Sequence, residues 1–185
     1  MIKSGDINKV IREIIFPTLK DLGFTKFRGR TAWRYLDEAI WVFNIKAVGA
    51  YFSLVTGFPP ASLHASLGIY YREFPQSPEV EIDAKDRLPI PKEFHCHTRY
   101  GLENIHDQTS LRSDAMLPQE RRRTDIWWID PEGRNVTSVI HDIKNSILEY
   151  GIPLLEKPYN ARAIQLERRG FTIQEAEQDS GGNGG

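Results

Sequence analysis

The stretch from residue 14 to residue 55 constrains this chain more than any other. It reads as the end of an amphipathic helix, a capped stop at Gly23, and then a run of strands carrying Phe24, Phe27, Trp33, Tyr35, Trp41, Phe43, Tyr51 and Phe52. Upstream, Ile7, Val10, Ile11, Ile14, Ile15, Leu19 and Leu22 recur at the helical period, with Asp6 placed to cap the start. Pro17 lacks a backbone donor and crowds the turn before it, so a kink or break is expected there. Gly23 stands where a left-handed residue ends a helix, and Phe24 can fold back onto Leu19.

Beyond Gly23 the pattern predicts strands at 24–28 and 31–35 around a tight turn at Gly29, a longer one at 39–48, and a return at 51–56 after Gly49. Residues 63–71 alternate again. Strands joined by short turns with no helices between them imply an antiparallel meander. From 73 to 93 the chain is rich in proline and charge, a surface connection with an edge strand at 80–82. A strand is expected at 94–100 and an exposed loop at 107–124. A strand at 125–130 would send Trp127 and Trp128 to opposite faces.

Asn135 is placed to cap a helix bearing Val136, Val139, Ile140, Ile143 and Ile147, ended by Gly151 and Pro153, with a short last helix at 160–169. The resulting expectation is an α+β fold: an antiparallel β-meander of about five to seven strands, with N-terminal and C-terminal helices packed on one face. Residues 1–173 form one domain in this reading. Residues 174–185, acidic and then Gly-rich, form a disordered tail.

Among 185 residues the net charge is −1, and three of the acidic residues, Glu175, Glu177 and Asp179, lie in that tail. Such balance argues against bulk attraction to nucleic acid or an anionic membrane. Cys96 is the single cysteine, which excludes an internal disulfide and permits a reducing compartment. Neither a signal-peptide core nor an apolar run of membrane-spanning length is present, so the cytoplasm is the expected address.

Candidate chemistry is sparse. On a strand, His95 and His97 would share a face opposite Cys96, the start of a zinc site with His106 or Asp107 as a third ligand, or of a metal-dependent hydrolase. The competing reading is a buried Cys96 acting as a small hydrophobe between surface histidines. Cys96 with His141 or His97 as base is a second combination, and Ser138, His141 and Asp142 form a triad only on paper. Arg121, Arg122 and Arg123, with Arg112 upstream and Trp127 and Trp128 downstream, concentrate positive charge beside aromatic rings. They suit either a protein partner or a phosphate backbone. Lys26, Arg28, Arg30 and Arg34 form a second basic group, read as solvated edge charge. No cofactor is expected, since no Gly-rich loop precedes a helix.

Three places carry a family likeness. The first is Leu19, Gly23, Phe24, Lys26, Gly29, Arg30 and Trp33 in that spacing. The second is Cys96-His97-Thr98-Arg99 with Trp127-Trp128 downstream, and the third is the run from Tyr150 to Glu156 after the long helix. In these the chain resembles an uncharacterised family of bacterial domains of unknown function. The resemblance implies an α+β domain without an established activity. Such small bacterial proteins are similar to candidates for immunity or antidote proteins encoded beside toxins. With no catalytic constellation and with exposed charge on long loops, the expectation is a non-enzymatic cytoplasmic protein that binds a toxin or effector; the alternatives are a nucleic-acid-associated protein using Arg121 to Arg123 and a metal-dependent hydrolase around His95 and His97.

Overall fold

The computed structural model describes residues 2–74, 79–103 and 125–168, the last seven of these by backbone only. Helix α1 (Ser4–Asp21) turns Ile7, Ile11, Ile15 and Leu19 inward. It begins one turn earlier than expected. Asp6 lies inside the first turn, and its carboxylate accepts the Lys3 backbone N–H at 3.3 Å. Pro17 does not break it, since the buried stripe continues on both sides. The carbonyl that Pro17 leaves without a helical donor belongs to exposed Glu13, where water can serve. Gly23, at φ +84°, ends the helix as expected. Its N–H donates to Lys20 O and that of Phe24 to Leu19 O, both at 2.9 Å, the paired bonds of a Schellman cap.

Strands β1 (Lys26–Arg28), β2 (Thr31–Tyr35), β3 (Ala39–Ala47), β4 (Leu63–Tyr71) and β5 (Thr98–Gly101) pair antiparallel in sequence order. This is the α+β meander the sequence predicts. Register sorts the faces: Ala32 opposes Phe43 and Arg34 opposes Trp41 on one side, while Trp33 opposes Val42 on the other. Thus the aromatic rows of β2 and β3 point to opposite faces of the sheet.

The return strand expected at 51–56 is instead a helix, α2 (Gly49–Thr56), and β4 takes the place beside β3, pairing Leu63 with Ala47. A short apolar run does not distinguish the two by periodicity. The strand expected at 94–100 is also shortened, because 93–95 is a 3-10 turn. Residues 80–82 make a single bridge, Ile82 to Pro89, and 125–130 another, Trp127 to Leu63.

Helix α3 (Val136–Ser146) does not stop at Gly151. It passes through a π-helical turn (Ile147–Gly151) into α4 (Ile152–Arg168). Pro153, the second residue of α4, follows closely on that π-helical turn. Gly151 serves packing rather than termination. A Cβ there would stand 2.4 Å from Leu67 Cδ1 and 2.9 Å from Leu102 Cδ2. Asn135 occupies the N-cap position of α3, yet its amide faces backward, donating to Trp128 O at 3.0 Å and accepting from Asp130 N at 2.8 Å.

Two cores result. Helices α1, α3 and α4 cover one sheet face, enclosing Trp41, Phe43, Ile45, Leu67, Ile69 and Trp127. The opposite face holds Trp33, Ile40, Val42 and Tyr70 beneath Val80, Ile90 and Cys96. The proline-rich connection is therefore a strap closing the second face, not a loose surface link. The tail at 174–185, and with it the 1–173 boundary, lies outside the described residues.

Candidate functional site

The strap is fastened by groups that the sequence offers for other uses. Trp33 Nε1 donates to Pro91 O at 2.8 Å and Tyr35 Oη to Pro89 O at 3.0 Å. Burial pushes the Tyr35 phenol up to about 12, so it remains a donor. Lys26 Nζ lies 2.8 Å from Asp83 and 2.6 Å from Asp86, and Arg28 sits 2.8 Å from Glu81. Lys46 bonds Glu93. The hydrogen bond from Lys26 holds Asp83 and Asp86 below the usual carboxylate range, and that from Arg28 does the same for Glu81. Desolvation works to lower the Lys26 ammonium, but its bonds to the two aspartates leave it raised.

The basic hairpin group is therefore not uniformly solvated. Lys26 and Arg28 hold the strap, Arg30 Nε donates to Asn8 Oδ1 of α1 at 2.6 Å, and Arg34 lies over the Trp41 ring at 4.7 Å.

The histidine and cysteine cluster dissolves into structure. His95 is in the 3-10 turn, not on a strand beside His97, and its Nδ1 accepts the Lys92 N–H at 2.9 Å. His97 Nδ1 accepts from Tyr71 N at 3.1 Å and its Nε2 faces Phe74 O at 2.9 Å, so both ring nitrogens are engaged. Cys96 sits over Gly68, where a Cβ would lie 2.7 Å from its own, and desolvation pushes its thiol up to about 12. A thiol so held is a poor nucleophile. Among the described residues no group of three His, Cys, Asp or Glu is placed to hold a metal ion. Ser138 and His141 are exposed on α3, whereas Asp142 is buried and accepts Trp127 Nε1 at 2.6 Å, so the paper triad does not converge.

That same bond removes Trp127 from any contact surface. Its side chain is wholly buried, and of the two tryptophans only Trp128 reaches solvent in part. Arg112, Arg121, Arg122 and Arg123, like His106 and Asp107, lie outside the described residues.

The surface feature that sequence reasoning missed is α2. Tyr51, Phe52, Leu54 and Val55 are 79%, 41%, 87% and 61% exposed. At 100° per residue they fall within roughly 160° of arc, a single stripe. The half-buried positions are Gly49, Ser53 and Thr56, on the other side. The helix turns its large apolar side chains outward and its small residues toward the body. Two signals point to it: the 51, 54, 55 spacing, and a 47–61 run without a charged residue. Reading 51–56 as a strand hid the first.

Among the described residues no helix is long and apolar enough to cross a membrane. A family described as a domain of unknown function (DUF4304) matches residues 15–157 of this chain. No curated protein and no solved structure matches it.

Proposed function

The chain belongs to this family of unknown function, and from that premise we propose that it is a non-enzymatic binding protein. Its most specific form is a cytoplasmic immunity or antidote protein that neutralises a bacterial toxin or effector by direct contact. The observation that carries the reading is α2, whose apolar stripe faces solvent while its small residues face the body. Anchors at i, i+3 and i+4, here Tyr51, Leu54 and Val55, suit a helix laid in a partner's apolar groove. Patches of this kind mark interaction sites more often than chance surface.

Charge selects the kind of partner. Residues 47–61 carry no charge, so the stripe offers nothing to a phosphate backbone or to anionic headgroups. A protein presenting an apolar groove is its complement. The non-catalytic part of the reading draws on Cys96 and His97, whose reactive atoms are committed to packing and hydrogen bonding.

Growth rescue tests the immunity form. The product of the gene beside this one, expressed alone, should arrest a sensitive host, and co-expression of this protein should restore growth. Arrest that persists despite soluble co-expression would count against neutralisation.

A further inference from the structure

The chain leaves β4 after Tyr71, crosses the sheet's second face as the strap, and returns at His97. The His97 residue joins the two ends of that excursion. Its backbone N–H donates to Ile69 O at 2.8 Å, its Nδ1 accepts from Tyr71 N at 3.1 Å, and its Nε2 lies 2.9 Å from Phe74 O. Register explains the arrangement. The β4–β5 ladder ends with Ile69 against Thr98, two residues short of Tyr71, and the imidazole takes the next rung.

These partners fix the proton. A backbone N–H only donates and a carbonyl only accepts, so Nδ1 is bare and Nε2 carries the hydrogen. A second proton has only Nδ1 to occupy, where it meets the Tyr71 N–H. The rings of Tyr70, Tyr71 and Phe74 stand 5.4, 5.8 and 5.8 Å from the imidazole and attract a cation weakly. Losing the hydrogen bond and setting two N–H dipoles against each other outweighs that attraction. The charged residues on the segments that meet here are Arg99 of β5, Arg72 and Glu73 between Tyr71 and Phe74, and Lys92 and Glu93 at the turn. His95 is the other imidazole, and its Nδ1 accepts the Lys92 N–H within the turn.

We propose that His97 is a proton-operated clasp: protonation at Nδ1 breaks its hold on Tyr71 and frees the returning end of the strap, uncovering Cys96 and the second core. The strap's carboxylates do not open it at the same pH. Glu81, Asp83 and Asp86 are held below the usual carboxylate range, so their pairs with Arg28 and Lys26 persist in mild acid. A freed imidazole takes up a proton near about pH 6.5. The closure that the clasp supplies is therefore complete above that pH, and the opening equilibrium rises about ten-fold for each unit below it. The device is separate from α2 and does not depend on the protein-binding reading.

Cys96 is buried and is the single cysteine, so its labelling reports opening. The full chain is treated with 4,4′-dithiodipyridine at about pH 7.5 and about pH 5.5. Each rate is divided by that of the urea-unfolded chain at the same pH, which removes the intrinsic reactivity of the thiol. His97→Asn puts an amide oxygen in the place of Nδ1 and takes up no proton. The expected result is a ratio that rises about ten-fold more in the native chain than in His97→Asn. Hydrogen exchange at the Tyr71 amide, followed by 1H–15N NMR over the same pH change, needs no variant. Its protection in the native chain should fall by a similar factor beyond the intrinsic change. Equal rises in the native chain and His97→Asn, or Tyr71 protection that is the same at both pH values, would overturn the proposal.

Discussion

Gly151 lies where the π-helical turn comes down on the sheet, and a Cβ there would enter the space of Leu67 and Leu102. Gly151→Ala should therefore cost about 1–3 kcal/mol through overpacking, measured by urea unfolding with an unchanged m-value. Trp127→Phe tests a different bond. It shrinks a buried indole to a phenyl ring and removes one donor to Asp142, so the void and the lost bond together should cost about 2–4 kcal/mol in the same assay. At this scale Gly23 was legible, because a left-handed cap follows a helical stripe and precedes an aromatic that returns to it. Gly151 was misread as a second cap, since a glycine needed for close approach leaves the same letter as one needed for positive φ. Period-two reasoning separated Trp127 from Trp128 but could not say which faced inward; the Asp142 carboxylate that receives Trp127 is fifteen residues away.

The strap and α2 are two elements that sequence periodicity alone did not resolve. The strap's apolar contribution is sparse, with Val80 and Ile90 set among charges, and its fastening depends on long-range partners such as Lys26 with Asp86. Its carboxylates give a signed pH dependence. Asp83, Asp86 and Glu81 are depressed in the folded state, so the stability they contribute is present above the usual carboxylate range of about 4 and is lost as pH falls through their folded values. Unfolding free energy should decline on acidification more steeply in the native chain than in Lys26→Met, as measured by urea titrations from about pH 6 to pH 3. Equal slopes would remove the strap pairs from the account. For α2, Leu54→Glu alters a side chain that is 87% exposed, so stability should change by no more than about 0.5 kcal/mol. A larger loss on thermal unfolding would mean that the stripe supports the fold rather than facing a partner.

On the scale of the whole molecule, a five-stranded meander is covered on one face by three helices and on the other by a strap, so both aromatic rows are buried. The one-sided part of this plan was readable from the stripes of α1 and α3. The second cover was not, because Pro and charge suggest a surface link whichever way the chain turns. The exposed stripe of α2 was less legible still: the sequence directs attention to Trp127, which is core, and passes over Tyr51 and Leu54 as strand residues. The structure commits Cys96 to the sheet's second face and both ring nitrogens of His97 to the Tyr71 and Phe74 backbone. In the proposed reading α2 presents its apolar stripe to a protein partner. Isothermal titration of the purified chain against the product of the neighbouring gene tests it most directly: a one-to-one complex that Leu54→Glu weakens at least about ten-fold, with unfolding unchanged, is the predicted result, and a complex of undiminished affinity, or none with the native chain, would contradict it.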